Sequence, residues 1–316
     1  MRIASRLLVA SIASLSFSGL ALAQDAPAGD APAGDGTTPA ADPAAAPAAT
    51  PAPDAGGGDT LAWPREIINR PLTLPKGLLQ VGGDLLTSTK HFFDPAVIRV
   101  LAGYGITDDF EINFGAYQFS SKDAGKGNIG LNAGYKLLRG AAGGKLEVIA
   151  RVDAGYSLGE NAKGDHYLTP LGIGAHVQYN ATPKIAIISG VPGASQLQIG
   201  LDTVHPITFG IPIGVGFQAT PELFLEVDTK LANLVISDDS TGEKSTFIFS
   251  DTTPLSLTAT YNAMPALDIY GAIAFDATPP AGGVGDTLVV GAGVRYYIGP
   301  AVKPGGAMTT PAPAAM

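Results

Sequence analysis

The chain has 316 residues, a formal net charge of −9, no cysteine, 41 glycines, 15% charged residues and a mean hydropathy of +0.22. Disulfides and an amino-terminal lipid on cysteine are excluded, and no basic stripe is offered to phosphates, so nucleic acid is not expected as a partner. After the first residues no run approaches the ~18 uncharged apolar residues of a spanning helix. Apolar on average, rich in glycine and without such a run, the composition is that of a chain that crosses lipid as strands.

Residues 1–23 read as a secretory signal peptide. Arg2 and Arg6 form a positive start, Leu7 to Leu20 an apolar core, and Ala21-Leu22-Ala23 a small-residue cleavage site before Gln24. Its removal takes away two arginines and no acid, which moves the net charge from −9 to −11. Residues 24–58 are almost wholly Ala, Pro, Gly and Asp, with Asp25-Ala26-Pro27-Ala28-Gly29 repeated at Asp30 to Gly34. They cannot bury enough apolar surface to order themselves, and they predict a disordered, acidic linker. It reads as a solvated spacer or as a tether that reaches the cell wall. Residues 59–75 form an irregular lead-in or short plug around Trp63-Pro64-Arg65 and Asn69-Arg70-Pro71, and 300–316 form a disordered Pro/Ala-rich tail.

Between them, 76–299 predict twelve strands, near 77–87, 96–105, 109–118, 127–137, 144–157, 167–180, 184–190, 206–218, 222–235, 253–262, 266–276 and 287–298. The last shows the pattern most plainly. Leu288, Val290, Ala292, Val294, Tyr296 and Ile298 make one apolar face, and Gly291, Gly293, Arg295 and Tyr297 stand on the other. Such alternation suits a strand with one face in lipid and one on a mixed lumen. The predicted fold is all-β: a transmembrane, antiparallel, up-and-down barrel of about twelve strands.

Three features favour closure into a barrel over a soluble sandwich. Connections after even strands are tight, as at Thr107-Asp108, Ala181-Thr182-Pro183, Ala219-Thr220-Pro221 and Ala263-Met264-Pro265, whereas those after odd strands are longer and polar. That is the asymmetry of periplasmic turns and extracellular loops. Even strands also end, on the apolar phase, in Tyr104, Tyr135, Tyr179, Phe217, Tyr261 and Tyr296. These six predict an aromatic girdle at the periplasmic interface. The opposite phase carries the charges Arg99, Glu111, Lys136, Glu147, Arg151, Asp153, Glu226, Asp228, Lys230, Asp268 and Arg295. A charge within a strand is costly against lipid, so these are the candidate pore-lining residues, with Arg151, Asp153 and Asp228 at mid-depth. Pro212 conflicts with the eighth strand, because a closed barrel has no free edge to excuse a missing N–H. A bulge, or a later start, would reconcile it.

The hairpin from Val100-Leu101-Ala102-Gly103-Tyr104 through Thr107-Asp108 to Phe110-Glu111-Ile112-Asn113-Phe114-Gly115 resembles the strand–turn–strand of Gram-negative outer-membrane porin- or transporter-like β-barrels. Arg70-Pro71-Leu72-Thr73-Leu74-Pro75-Lys76-Gly77 resembles the lead-in to their first strand. The resemblance covers about 65–298 and implies an outer-membrane location, contact with outer-membrane lipid and handling by the barrel-assembly machinery. Such barrels usually end at the final aromatic residue that this machinery reads, and this chain continues past Ile298.

No catalytic constellation stands out. His91, His166, His176 and His205 are not at metal-ligand spacing, and there is no Gly-x-Ser-x-Gly elbow. His176 lies on the lumenal phase and reads as a solvated polar residue or as a contact for a passing solute. The glycine pairs Gly172/Gly174, Gly214/Gly216 and Gly291/Gly293 read as small lumenal residues that permit curvature and a clear path. Asp238-Asp239-Ser240-Thr241-Gly242-Glu243 reads as a solvated loop, with calcium as the sharper alternative. No enzyme activity, cofactor or resident metal is expected. The expected function is passive diffusion of small hydrophilic solutes or ions, with weak cation preference; the alternative is a closed structural barrel acting through tethers or surface loops.

Overall fold

A computed structural model describes residues 63–89, 96–115, 119–120, 128–157, 167–190, 196–201, 207–236, 245–247, 253–277 and 287–302. The signal peptide, the 24–58 linker, the tail beyond residue 302, His91, His166, His205 and the 238–243 loop lie outside the described residues.

Alternation of apolar and polar residues, punctuated by Gly, Pro and Asp, yields twelve principal strands. They are β1 Leu79–Ser88, β2 Ala96–Gly105, β3 Phe110–Gly115, β4 Asn128–Gly140, β5 Leu146–Ser157, β6 Leu171–Asn180, β7 Ile185–Ser189, β8 Thr208–Gln218, β9 Leu223–Val235, β10 Pro254–Met264, β11 Leu267–Asp276 and β12 Val289–Ile298. Each pairs antiparallel with its neighbours in sequence, and β1 pairs with β12 from Leu79↔Ile298 to Ser88↔Val289. The sheet is therefore closed, a twelve-stranded up-and-down barrel.

Four strands are interrupted. Short pieces at Phe119–Ser120, Tyr167–Leu168, Leu197–Ile199 and Thr246–Phe247 extend β3, β6, β7 and β10 along their neighbours. The predicted 167–180 strand breaks at Thr169-Pro170, where proline offers no N–H to the ladder. Beside the break in β7, the Gln196 amide stands in for backbone: its Oε1 accepts from Ala175 N at 2.7 Å and its Nε2 donates to Ala175 O at 2.6 Å. Pro212 is accommodated by a register shift between β8 and β9 at Gly210/Pro212, and its carbonyl accepts from Ser189 Oγ at 2.6 Å. The bulge excuses the missing donor.

The predicted alternation is realised around the ring. Val100 is 49% exposed and Leu131 61%, and Ile98, Val152, Val215, Leu257, Ile273 and Val294 also face outward, exposed. Water-soluble monomers rarely expose an apolar belt of this extent, and lipid accepts it. The short connections lie at one end, and one of them is conformationally demanding: Gly140, Ala142, Gly143 and Gly144 all have left-handed φ, of 62°, 52°, 71° and 86°. Glycine meets that demand at three of the four positions.

Both ends of the described chain gather at this turn side. Trp63 N donates to Ala301 O at 2.9 Å, and Trp63, Leu74, Leu78, Tyr297 and Ala301 form one buried cluster. Residues 300–302, expected as the start of a loose tail, are packed there instead.

Candidate functional site

Charged side chains on the inward strand phase are gathered into several groups inside the barrel. Asp84 and Arg99 lie opposite each other in β1 and β2, and the guanidinium grips the carboxylate through Nε at 2.7 Å and Nη2 at 2.6 Å. Tyr270 donates its hydroxyl to Asp84 at 2.7 Å, and Arg295 lies over the Tyr270 ring at 4.6 Å. A second group joins β3, β4 and β5. Glu111 Oε1 accepts from Arg151 Nη2 and from Asn113 Nδ2, both at 3.0 Å, while Arg151 Nη1 donates to Asn132 at 2.9 Å. Lys136 and Glu147 form an ion pair at 2.9 Å. Charge-assisted contacts of this kind are the strong ones in a low-dielectric interior.

The wall formed by β8, β9 and β10 differs. Glu226 and Asp228 stand two apart on one strand and face inward, with Gly216 and Gly214 opposite on β8 and Thr258 and Ser256 opposite on β10. Asp228 is only 3% exposed, yet Asp228 Oδ2, Glu226 Oε1 and Thr258 Oγ1 are buried without a hydrogen-bond partner. Lys230, next on the same face, donates to Asn233 at 3.3 Å. His176 faces inward from β6, and its buried Nδ1 likewise has no partner. Asp153 faces inward beside Gly172 of β6.

The sequence understated the lead-in. A 3₁₀ turn at Ile67–Asn69 carries Ile68 into the barrel against Ala186, Ile188 and Phe224. The chain then crosses the turn-side mouth, bonded to strands around much of the ring. Gln178 Nε2 donates to Ile68 O at 2.9 Å, Ile68 N donates to Gln218 Oε1 at 3.1 Å, and Leu74 N donates to Glu111 Oε2 at 2.7 Å. Arg65 pairs with Glu222 at 3.3 Å. Arg70 is the principal tie. It holds Asp268 bidentately at 2.5 and 3.0 Å, and its guanidinium lies 5.1 Å from the Trp63 ring and 5.3 Å from the Tyr297 ring. Asp268 also accepts from Asn262 Nδ2 at 2.8 Å and Tyr297 OH at 2.9 Å. Bidentate pairing and ring stacking together are what an arginine fork supplies and a lysine does not.

Strand phase assigns Glu111 and Asp268 to the interior but cannot reveal that an upstream segment takes both. Asp84 was missed although it shares the inward phase of Gln80 and Gly82; it could have been found by extending the alternation to β1. The expectation of a clear path past the lumenal glycines is corrected at several of them. A Cβ at Gly216 would collide with the Phe224 ring, one at Gly293 with Asp84 and Tyr270, and one at Gly174 with Gln196. These glycines receive neighbouring side chains rather than leave space empty.

The six aromatics share one structural position. Tyr104, Tyr135, Tyr179, Phe217, Tyr261 and Tyr296 pair respectively with Leu79, Phe110, Leu146, Ile185, Leu223 and Leu267, each the first residue of the preceding odd strand. All six are exposed on the outer surface at the turn-side rim.

No protein-family model matches the chain, and no curated protein matches it. Among solved structures, the KdgM porin is similar with a TM-score of 0.44 at 7% identity, over 69% of this chain and 98% of that one. The NanC porin gives 0.44 at 10% identity over 69% and 98%, and the Acinetobacter baumannii outer membrane protein Omp33 gives 0.39 at 9% over 71% and 99%. At such identities these are likenesses of the barrel alone. From its own pairing, closure and outward apolar face, the chain is a twelve-stranded antiparallel β-barrel of the transmembrane kind.

Proposed function

We propose that the protein is an outer-membrane channel for passive diffusion of small hydrophilic solutes or ions, exported by its signal peptide to a Gram-negative outer membrane. The observation that carries this reading is the division of one closed sheet into an apolar outside and a charged inside. A barrel that served only as an anchor would have no need to keep Arg99, Glu111, Lys136, Arg151, Asp228 and Arg295 inward, where ionised groups call for partners or water. Inside the barrel the described acids Asp84, Glu111, Glu147, Asp153, Glu226, Asp228 and Asp268 outnumber the bases Arg70, Arg99, Lys136, Arg151, Lys230 and Arg295 by one. The excess is acidic, so the preference is for cations. The six rim aromatics anchor the barrel at the periplasmic interface.

The second reading is a closed structural barrel. It is favoured by the lead-in across the turn-side mouth, with Arg70 locked on Asp268. Planar-bilayer recording on the refolded exported chain separates the two. The channel reading expects discrete conductance steps and entry of small sugars into proteoliposomes. A folded, inserted protein with neither current nor uptake would establish the sealed barrel.

A further inference from the structure

We propose that Glu226, Asp228 and Thr258 form a binding site for a hard cation on the β9–β10 wall. The proposal deepens the channel reading, and it rests on the inward face being a wet lumen. The β9–β10 register sets Glu226 directly opposite Thr258 and Asp228 opposite Ser256, all on the inner surface. Directly opposed residues in an antiparallel pair have Cβ atoms about 5 Å apart, so these oxygen-bearing side chains stand within reach of a single ion.

Unmet oxygens on carboxylates and on a hydroxyl mark this group as a site. Asp228 and Thr258 are 3% and 6% exposed, and one oxygen of each, together with Glu226 Oε1, is buried without a hydrogen-bond partner. The hydroxyl of Thr258 is not acidic, and its unmet oxygen belongs to a residue directly across from Glu226 on the same inner face. On the other side the neighbours are Gly214 and Gly216, which bring no competing polar side chain.

The nearby bases do not meet this demand. Lys230 is directed at Asn233. Arg295 acts on Glu226 at longer range, with its guanidinium held over the Tyr270 ring. Two carboxylates with hydroxyl oxygens and no nitrogen or sulfur are ligands for a hard cation, with water completing the shell.

The test uses the refolded exported chain in detergent, stripped with chelator and titrated with Ca²⁺, with K⁺ as competitor. One Ca²⁺ is expected per chain at this site. Glu226→Gln and Asp228→Asn should each weaken it at least tenfold, and Thr258→Val several-fold. Glu222→Gln, at the turn-side rim, should leave it unchanged. Heat-modifiable gel migration checks folding, and the near-isosteric Thr258→Val still tests the site should a carboxylate variant not fold. Absence of binding at millimolar Ca²⁺ overturns the proposal. So does binding that survives all three substitutions, which would place the ion elsewhere. The readout needs no current, so a chain that binds but does not conduct would sink the channel reading and leave the site standing.

Discussion

Two parts of the same inner wall treat their charges in opposite ways. From β11 through β12 to β5, and at the turn-side mouth, acids are gripped: Asp84 by Arg99, Glu111 by Arg151, Glu147 by Lys136, Asp268 by Arg70. On β8–β10, Glu226 and Asp228 keep unpartnered oxygens beside glycines and hydroxyls. A paired acid contributes to closure and is costly to disturb from one side only. An unpaired one adds no ion pair to closure.

The largest effect should come from Arg70→Ala. It strands Asp268, which is 0% exposed, and removes two ring contacts. Breaking one side of a buried pair should cost about 4 kcal/mol in denaturant unfolding from lipid vesicles. The same change frees the lead-in, so conductance steps should grow in channels that remain folded. Next comes Arg151→Met, at about 3 kcal/mol. Adding Glu111→Gln should recover much of that loss, because the double variant leaves no stranded charge. A double variant as unstable as the single one would show that Glu111 and Arg151 are not coupled. Moving charge by one residue sharpens the contrast between faces. Arg99 is held inside by Asp84, whereas Val100→Arg points the same group into lipid and should cost about 2 kcal/mol by equilibrium unfolding. The smallest effect belongs to the unpaired wall. Asp228→Asn should leave stability unchanged or raise it by about 1 kcal/mol, since it removes a buried charge beside Glu226 and breaks no described ion pair.

Much of this contrast between faces was legible in the sequence, because a period of two writes the two faces of a strand directly into residue order. Twelve strands, their inward charges and the outward tyrosines follow from that local pattern, and at Pro212 the sequence called for a bulge or a later start, of which the structure has the bulge. What escaped it is non-local. Nothing near Arg70 indicates that its partner is Asp268, and nothing near Gly216 indicates that the Phe224 ring lies over it. Such pairings depend on the stagger of strands around a closed ring, which no single strand encodes. The lead-in was legible only as an irregular segment or short plug for the same reason. Its residues have no periodicity, and much of their order comes from partners more than a hundred residues away, such as Gln218 and Asp268.

The most direct test of the account is the reversal potential of single channels of the exported chain under a KCl gradient, compared with the Glu226→Gln/Asp228→Asn double variant. Parent channels should show a potential of the sign set by potassium preference, falling toward zero in the double variant. Chloride preference in the parent, or a potential that the two substitutions leave unchanged, would contradict it.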